Sequence, residues 1–165
     1  MTPRLEAFAP VVDAGTRVLV LGSLPGAASL AAGRYYAHPR NQFWALAGAV
    51  IGDEELPARP YAERLARLLA AGIGLWDTIA SAHRTGSLDS AIRAAEAAPL
   101  TTLVADLPAL RCVAFNGARS AAVGRRSLAG TPLALVDLPS SSPALAALSL
   151  AQKRERWLNL QHFLG

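Results

Sequence analysis

Five short segments of the 165-residue chain hold residue types that bind or transform polar ligands. Gly22-Ser-Leu-Pro-Gly26 supplies small residues and accessible backbone N–H groups, which suit close approach by an anion or a flat ligand. The same segment also reads as a tight turn. It lacks the Gly-Lys-Ser/Thr ending of a nucleotide-triphosphate loop and the GxGxxG spacing of a dinucleotide site. In Tyr35-Tyr-Ala-His-Pro-Arg-Asn41, two adjacent tyrosines in a turn-rich segment could stack on a planar ring. His38-Pro39 sets an extended turn, and Asn41 stands where a helix N-cap belongs. Asn41 therefore reads both as a cap and as a polar group for chemistry, while Phe43 and Trp44 read as core. His38 has no His, Cys or acid at ligand spacing, so it is not read as a metal ligand.

Three further segments complete the set. Leu138-Pro-Ser-Ser-Ser-Pro143 offers three hydroxyls near Arg119, Arg125 and Arg126, a composition that suits a nucleic-acid backbone or a plain turn. A serine nucleophile is not expected: no Gly-x-Ser-x-Gly elbow is present, and neither His83 nor His162 has a triad context. Asp77 is the acid placed directly after an apolar run, as a functional carboxylate or a local loop cap. Asn116 lies in Phe115-Asn-Gly117 after another such run.

The elements that must position these residues follow from hydrophobic periodicity. Arg17–Leu21, Gly74–Asp77, Arg111–Phe115 and Pro132–Val136 read as short, near-continuously apolar strands. Asn41–Ile51 and Tyr61–Ala71 read as amphipathic helices, the second stopped by Gly72. Asp89–Ala98 and Thr101–Asp106 read as short helices with Ser, Asp or Thr near their starts. A helix from Asn116-Gly117 to about Leu128 and a last one over Leu148–Leu164 follow. Apolar strands separated by helices imply a parallel sheet covered on both faces. In such folds ligands bind at the carboxyl ends of the strands, so four segments, Gly22–Gly26, Asp77 with the polar loop after it, Phe115–Gly117 and Leu138–Pro143, are expected to converge on one cleft. The fold class is α/β: a three-layer α/β/α sandwich with a central four-stranded parallel sheet, formed as one domain over residues 1–165.

Composition narrows the chemistry. Hydrophobic residues make up 52% and charged residues 17%, which excludes a disordered or coiled-coil chain. Apolar runs are broken well before the roughly 18 residues a membrane span needs, and no secretion signal is recognised; a cytoplasmic, nucleoid-associated protein is expected. Cys112 is the single cysteine, so an internal disulfide, a Cys-only zinc site and a cysteine-held iron–sulfur cluster are excluded. No metal and no cofactor are expected. The net charge is +4 and the pI about 10.0, yet fifteen of the sixteen basic residues are Arg. Charge of this kind speaks to partners rather than fold. Lys153, the single Lys, is the one candidate for Schiff-base chemistry and lies far in sequence from every loop motif.

Taken in order, LGSLPG at residues 21–26, YYAHPRNQFW at 35–44, GLWDTIASAHRTGSLDSAI at 74–92, FNG at 115–117 and LPSSSP at 138–143 resemble the uracil-DNA glycosylase superfamily. Within it they are most similar to the hypoxanthine-DNA (deoxyinosine) glycosylase branch. The resemblance implies an enzyme that flips a deaminated base out of DNA and hydrolyses its bond to deoxyribose, leaving an abasic site. Hypoxanthine is the expected lesion, with xanthine and uracil as further candidates. A damaged-DNA-binding module without turnover and a nucleoside or nucleotide hydrolase stand as alternatives.

The resemblance assigns roles by position. Asn41 is the catalytic residue, its side-chain oxygen holding the water. Gly22, Ser23, Leu24, Tyr36 and Asp77 form the base site. Tyr36 stacks on the base, and Asp77 accepts the N1–H of hypoxanthine. Asn116, Ser140, Ser141 and Ser142 contact DNA, and Leu145 is the nearest candidate for a wedge, since Ala144 stands where some relatives carry Arg. Leu24 takes the place of the water-positioning Asn of the mismatch-specific branch, and LPSSSP lacks the His of the classical uracil enzymes. Both departures point towards deaminated purines. The single cysteine separates the chain from the iron–sulfur branches, and the absence of a placed Lys implies hydrolysis without strand cleavage, by a monomer.

Overall fold

The computed structural model describes residues 4–84 and 92–165. In chain order the elements are β1 (Arg4–Glu6), β2 (Val18–Gly22), α1 (Ala27–Ala32), α2 (Phe43–Ile51), α3 (Tyr61–Ala71), β3 (Ile73–Asp77), β4 (Ile79–His83), β5 (Arg93–Ala97), α4 (Leu100–Ala105), β6 (Cys112–Asn116), α5 (Ala118–Ser127), β7 (Ala134–Leu138) and α6 (Leu150–Trp157). Short 3₁₀ turns occupy Leu56–Ala58 and Leu158–Phe163.

The strand period of two builds the three layers. Val18 and Val20 of β2, with Cys112 and Ala114 of β6, face one side and pack against Phe43, Trp44 and Leu46 of α2, Leu68 of α3 and Trp157 of α6. Leu19, Leu21, Val113 and Phe115 face the other side and meet Leu100 of α4 with Ala121 and Leu128 around α5. Each buried aliphatic or aromatic side chain of this kind contributes about 1.5–3 kcal/mol relative to exposure. Helix α5 comes close because residue 124 is Gly: a Cβ there would lie 2.2 Å from Cε1 of Phe115.

The expected four-stranded parallel sheet is present, in the order β3-β2-β6-β7. The chain leaves β2 towards β3 on one side and returns at β6 on the other. Loops leaving the ends of β2 and β6 therefore diverge and open a crevice at the carboxyl edge.

A second, antiparallel sheet of β1, β4 and β5 was not among the sequence expectations. The polar loop expected after Asp77 is instead β4, entered through Thr78, whose N–H donates to the Gly22 carbonyl at 2.8 Å. The helix expected over Asp89–Ala98 is corrected as well. Its first residues lie outside the described ones, and Arg93–Ala97 is a strand on β4. Its Ala-rich composition favours helix, and pairing along β4 overrides that weak local preference. The last expected helix divides. A capping box of Ser149 and Gln152 starts α6 at Leu150 rather than Leu148, and the 3₁₀ turn takes over at Leu158. Among the described residues no helix is long and apolar enough to cross a membrane.

Candidate active site

The register of the parallel sheet brings two of the loop residues side by side. Gly22, the last residue of β2, pairs directly with Asp77, the last of β3. A Cβ on Gly22 would stand 2.6 Å from Asp77 Oδ1 and 3.2 Å from the Tyr36 hydroxyl oxygen. Glycine at this strand end thus lets a carboxylate and a phenol converge over bare backbone. Asp77 is only 3% exposed. Its negative charge also acts on Tyr35, whose phenol is held far above the ordinary tyrosine range, first by burial and then by that charge.

Tyr36 has φ 53°, the left-handed region that a bulky side chain seldom enters. Such strain costs about 1–3 kcal/mol and persists where the surroundings over-determine it. Here the indole N–H of Trp44 donates to the Tyr36 carbonyl at 3.1 Å. The Tyr36 ring lies on Phe43 with centroids 3.9 Å apart and planes 15° from parallel. One ring face is thereby used inside the protein, and the residue lines the cavity described below. Its neighbour Tyr35 points into the core and donates from its hydroxyl to the Ala9 carbonyl at 3.0 Å.

Asn41 does cap the next helix, though from one residue outside the cap position. Its Oδ1 accepts the Phe43 N–H at 2.9 Å. That bond fixes the amide and leaves a second lone pair on Oδ1. The Asn41 NH₂ group has no partner among the described residues.

Asn116 ends β6 and is committed inside the protein. Its Oδ1 accepts the Ser141 N–H at 2.9 Å, and its Nδ2 donates to Ser141 Oγ at 2.9 Å and to the Tyr36 hydroxyl at 3.3 Å. Ser141 is 1% exposed, so this hydroxyl anchors the loop instead of facing solvent. Ser140 and Ser142 are half-buried, and their oxygens accept the N–H groups of Ser142 and Ala144. Each keeps its O–H to give.

These parts enclose one cavity of about 490 Å³. Gly22, Ser23, Leu24, Tyr36 and Asp77 line it, and so does Asn41. Asn116, Ser140, Ser141, Ser142 and Leu145 complete the opposite wall. The eleven residues assigned to the site from the sequence therefore meet in one place, while Arg119, Arg125 and Arg126 do not line it. Leu24 lies partly in a satellite core with Ile79, Ala82 and Ile92, which suits an apolar wall and offers no polar group for a water. Residues 85–91 of the third motif lie outside the described ones.

Three contributors went unread in the sequence. His38 also lines the cavity, with Nδ1 accepting the Arg40 N–H at 3.1 Å. Arg84 is buried and donates to the carbonyls of Leu24 and Pro25, holding the Gly22–Gly26 loop from behind. Lys153 is far from the motifs in sequence but not in space. Its ammonium, 1% exposed, donates to Gln42 Oε1 at 2.8 Å and to the Ser142 carbonyl at 3.3 Å. It ties the segment after Asn41 to the serine loop, and burial holds its pKa below the ordinary lysine value. Burial also pushes the Cys112 thiol up to about 12, which makes it inert. Among the described residues no group of three or more His, Cys, Asp or Glu could hold a metal ion.

A parallel α/β sandwich with a base-sized cavity at the strand ends, walled by a buried carboxylate, an aromatic face and a hydroxyl loop, defines a class of nucleotide-handling proteins. The comparisons narrow it. The family model for the uracil DNA glycosylase superfamily matches residues 9–161, and the chain belongs to that superfamily. A hypoxanthine DNA glycosylase of Methanosarcina barkeri is 42% identical over 70% of this chain and 72% of its own. A protein of the same name from Methanosarcina acetivorans is 38% identical over 91% of this chain and 94% of its own. A solution NMR structure from Methanosarcina acetivorans, described as a candidate uracil DNA glycosylase, superposes with a TM-score of 0.86 at 34% identity. That match covers 98% of this chain and 99% of the other.

Proposed function

We propose that the protein is a monofunctional DNA glycosylase that flips a deaminated base, hypoxanthine first, into the cavity and hydrolyses its N-glycosidic bond. The observation that carries this reading is the convergence of Asp77, Tyr36 and Asn41 on one cavity at the carboxyl edge of the sheet. The names of the two Methanosarcina relatives support hypoxanthine as the lesion.

The roles follow from which groups are uncommitted. Two side-chain amides line the cavity, and Asn116 spends its amide on Ser141 and Tyr36. Asn41 keeps a lone pair and an NH₂ group, so it holds the water below the anomeric carbon. Water oxygen bonds to C1′ as the C1′–N9 bond breaks; the bonding pair leaves with the purine, and the water proton passes to the departing base or to solvent. Asp77 accepts N1–H of hypoxanthine. Adenine presents a lone pair at that atom and would meet the carboxylate oxygen without a proton between them. The Tyr36 ring, in the cavity wall, stacks on the base. Ser140 and Ser142 donate to phosphates around the lesion, Asn116 and Ser141 shape that loop, and Leu145 fills the vacated stack. The enzyme acts as a monomer without metal or cofactor.

Single-turnover assays on duplexes carrying one hypoxanthine, xanthine or uracil, followed by alkali, test the reading. Alkali-labile product on hypoxanthine is expected, with no strand break before alkali. No product on any lesion refutes it. Asn41→Ala should slow excision at least about a hundredfold, as loss of a preorganised polar group does elsewhere. An unchanged rate places the water on another group.

A further inference from the structure

A second cavity, of about 500 Å³, adjoins the first and shares Tyr35, Tyr36, His38 and Asn41 with it as a common wall. Arg34, Arg40 and Arg64 line it, and no Asp or Glu does. Most other guanidinium groups with ion pairs lie elsewhere on the surface: Arg59 and Arg67 meet Asp53 and Glu63, Arg125 meets Asp137, and Arg154 meets Glu54. Among the described residues Arg34 and Arg64 have no carboxylate within ion-pair distance.

Both are nevertheless held in place by aromatic faces. The Arg34 and Arg64 guanidinium carbons lie 5.4 Å and 5.8 Å from the centroid of the Tyr61 ring, and Arg64 lies 4.9 Å from that of Trp44. Arg64 Nε donates to the Arg59 carbonyl at 2.8 Å, which fixes the guanidinium plane and leaves the two terminal nitrogens. Burial and the charge of Arg34 press the Arg64 pKa below its ordinary value. Two like charges set around one ring, in a concave site with no acid, make a receptor for an anion. The planar fork of Arg matches phosphate oxygens, and the ring faces suit a deoxyribose.

We propose that this cavity is a phosphate subsite, in which Arg34 and Arg64 clamp a phosphodiester of the lesion-bearing DNA strand one loop away from the flipped nucleotide. The proposal rests on the glycosylase reading and adds to it a residue pair outside all five motifs. A strand that delivers a base into the first cavity must run past the Tyr35–Asn41 wall, where the second cavity receives its backbone.

The experiment compares the wild type with Arg34→Gln, Arg64→Gln and the double variant, and uses Arg154→Gln as the control of equal charge change. Binding of a lesion-free duplex is measured across a salt series. The slope of log affinity against log salt should become shallower by about 0.9 for each phosphate contact removed. Affinity should fall roughly tenfold per variant, the worth of one charge-assisted contact. In single-turnover excision the half-saturating DNA concentration should rise by the same factor, with the plateau rate changed less than twofold. Replacing single phosphates by neutral methylphosphonates should weaken the wild type at one or two linkages on one side of the lesion. The double variant should not respond at those linkages.

Slopes equal to the wild type, or an equal effect from Arg154→Gln, overturn the subsite. If the wild type excises no lesion, the glycosylase reading fails by itself. The salt slopes and the methylphosphonate scan, read on binding, still decide the subsite. Should Arg64→Gln lose its packing on Trp44 and fail to fold, exposed Arg34 alone carries the comparison.

Discussion

The pairing of Gly22 with Asp77 leaves no room for a side chain at residue 22, and it yields a quantitative test. In Gly22→Ala the new methyl carbon would sit 2.6 Å from Asp77 Oδ1 and 3.2 Å from the Tyr36 hydroxyl oxygen. Gly22 does not have a positive φ in the left-handed range, so alanine meets no backbone penalty there and the effect is steric. Ordinary contact begins near 3.4 Å, so the carboxylate oxygen must retreat by about 0.8 Å. The strands cannot slide to absorb this, because Gly22 and Asp77 are paired and Thr78 N–H is bonded to the Gly22 carbonyl. The carboxylate must rotate within a buried pocket. Overpacking of this kind costs about 1–3 kcal/mol of stability. A misplacement approaching 1 Å at reacting geometry costs about a hundredfold in rate, or roughly 2.7 kcal/mol. Activity should therefore fall out of proportion to stability, as read by single-turnover excision of hypoxanthine and by denaturant melts of both proteins. A double-mutant cycle isolates the cause. Against Asp77→Ala, where the clashing oxygen is absent, Gly22→Ala should cost at least about 1.4 kcal/mol less in activation energy than against the wild type. A Gly22→Ala rate within threefold of the wild type, or an additive cycle, refutes the reasoning.

Four further variants test the same geometry. Asp77→Asn keeps the shape but loses the charged acceptor, so hypoxanthine excision should fall about ten- to a hundredfold and uracil excision less; equal losses on both lesions would show that Asp77 does not read the base. Lys153→Met should slow excision about tenfold or more while changing stability little, since desolvating a buried ammonium roughly offsets its two charge-assisted bonds. The folded-state pKa of Lys153 is lowered by burial, so the unfolded chain holds its proton to higher pH. The wild type should gain stability relative to Lys153→Met as pH rises towards the ordinary lysine range, and a gain with falling pH in paired melts would contradict this. Ser141→Ala leaves Asn116 Nδ2 short of one acceptor and should cost about 1–2 kcal/mol in a denaturant melt. Ser140→Ala removes the half-buried acceptor of the Ser142 N–H, so it should cost less than Ser141→Ala in the melt and should raise KM.

What the sequence discloses depends on whether a residue's partner is local. The strands β2 and β6 are legible because their apolar residues are buried on both faces, and Asp77 and Asn116 follow at the strand ends where ligands bind. That rule gathers Gly22, Ser23, Leu24, Asp77, Asn116 and the three serines around one cavity, and the family resemblance adds Tyr36, Asn41 and Leu145. The second sheet is illegible for the opposite reason. The three residues of β1 are too short for a period, and β5 has a composition that suits a helix, so only pairing across the fold makes them strands. Lys153 is hidden similarly, because no local pattern says that a lysine 111 residues from Gln42 will donate to it. The left-handed backbone of Tyr36 is equally silent, since the usual signal for it is Gly or Asn.

The charge balance shows why such long-range facts decide function. A net charge of +4 spread evenly would make a weak and indifferent DNA binder. Ion pairs with Asp53, Glu54, Glu63, Glu96 and Asp137 neutralise guanidinium groups away from the cavities. Arg34, Arg40 and Arg64 keep their charge beside the wall of the base cavity, and Lys153 holds a buried one beneath the serine loop. Against these stands the buried carboxylate of Asp77 in the cavity wall. On the reading we propose, positive charge lies where the backbone passes and negative charge where the base is read, an arrangement that draws a strand in by its phosphates. The same reading has Asp77 penalise bases that cannot give it a proton to share, so affinity and selectivity would rest on different residues and could be removed separately.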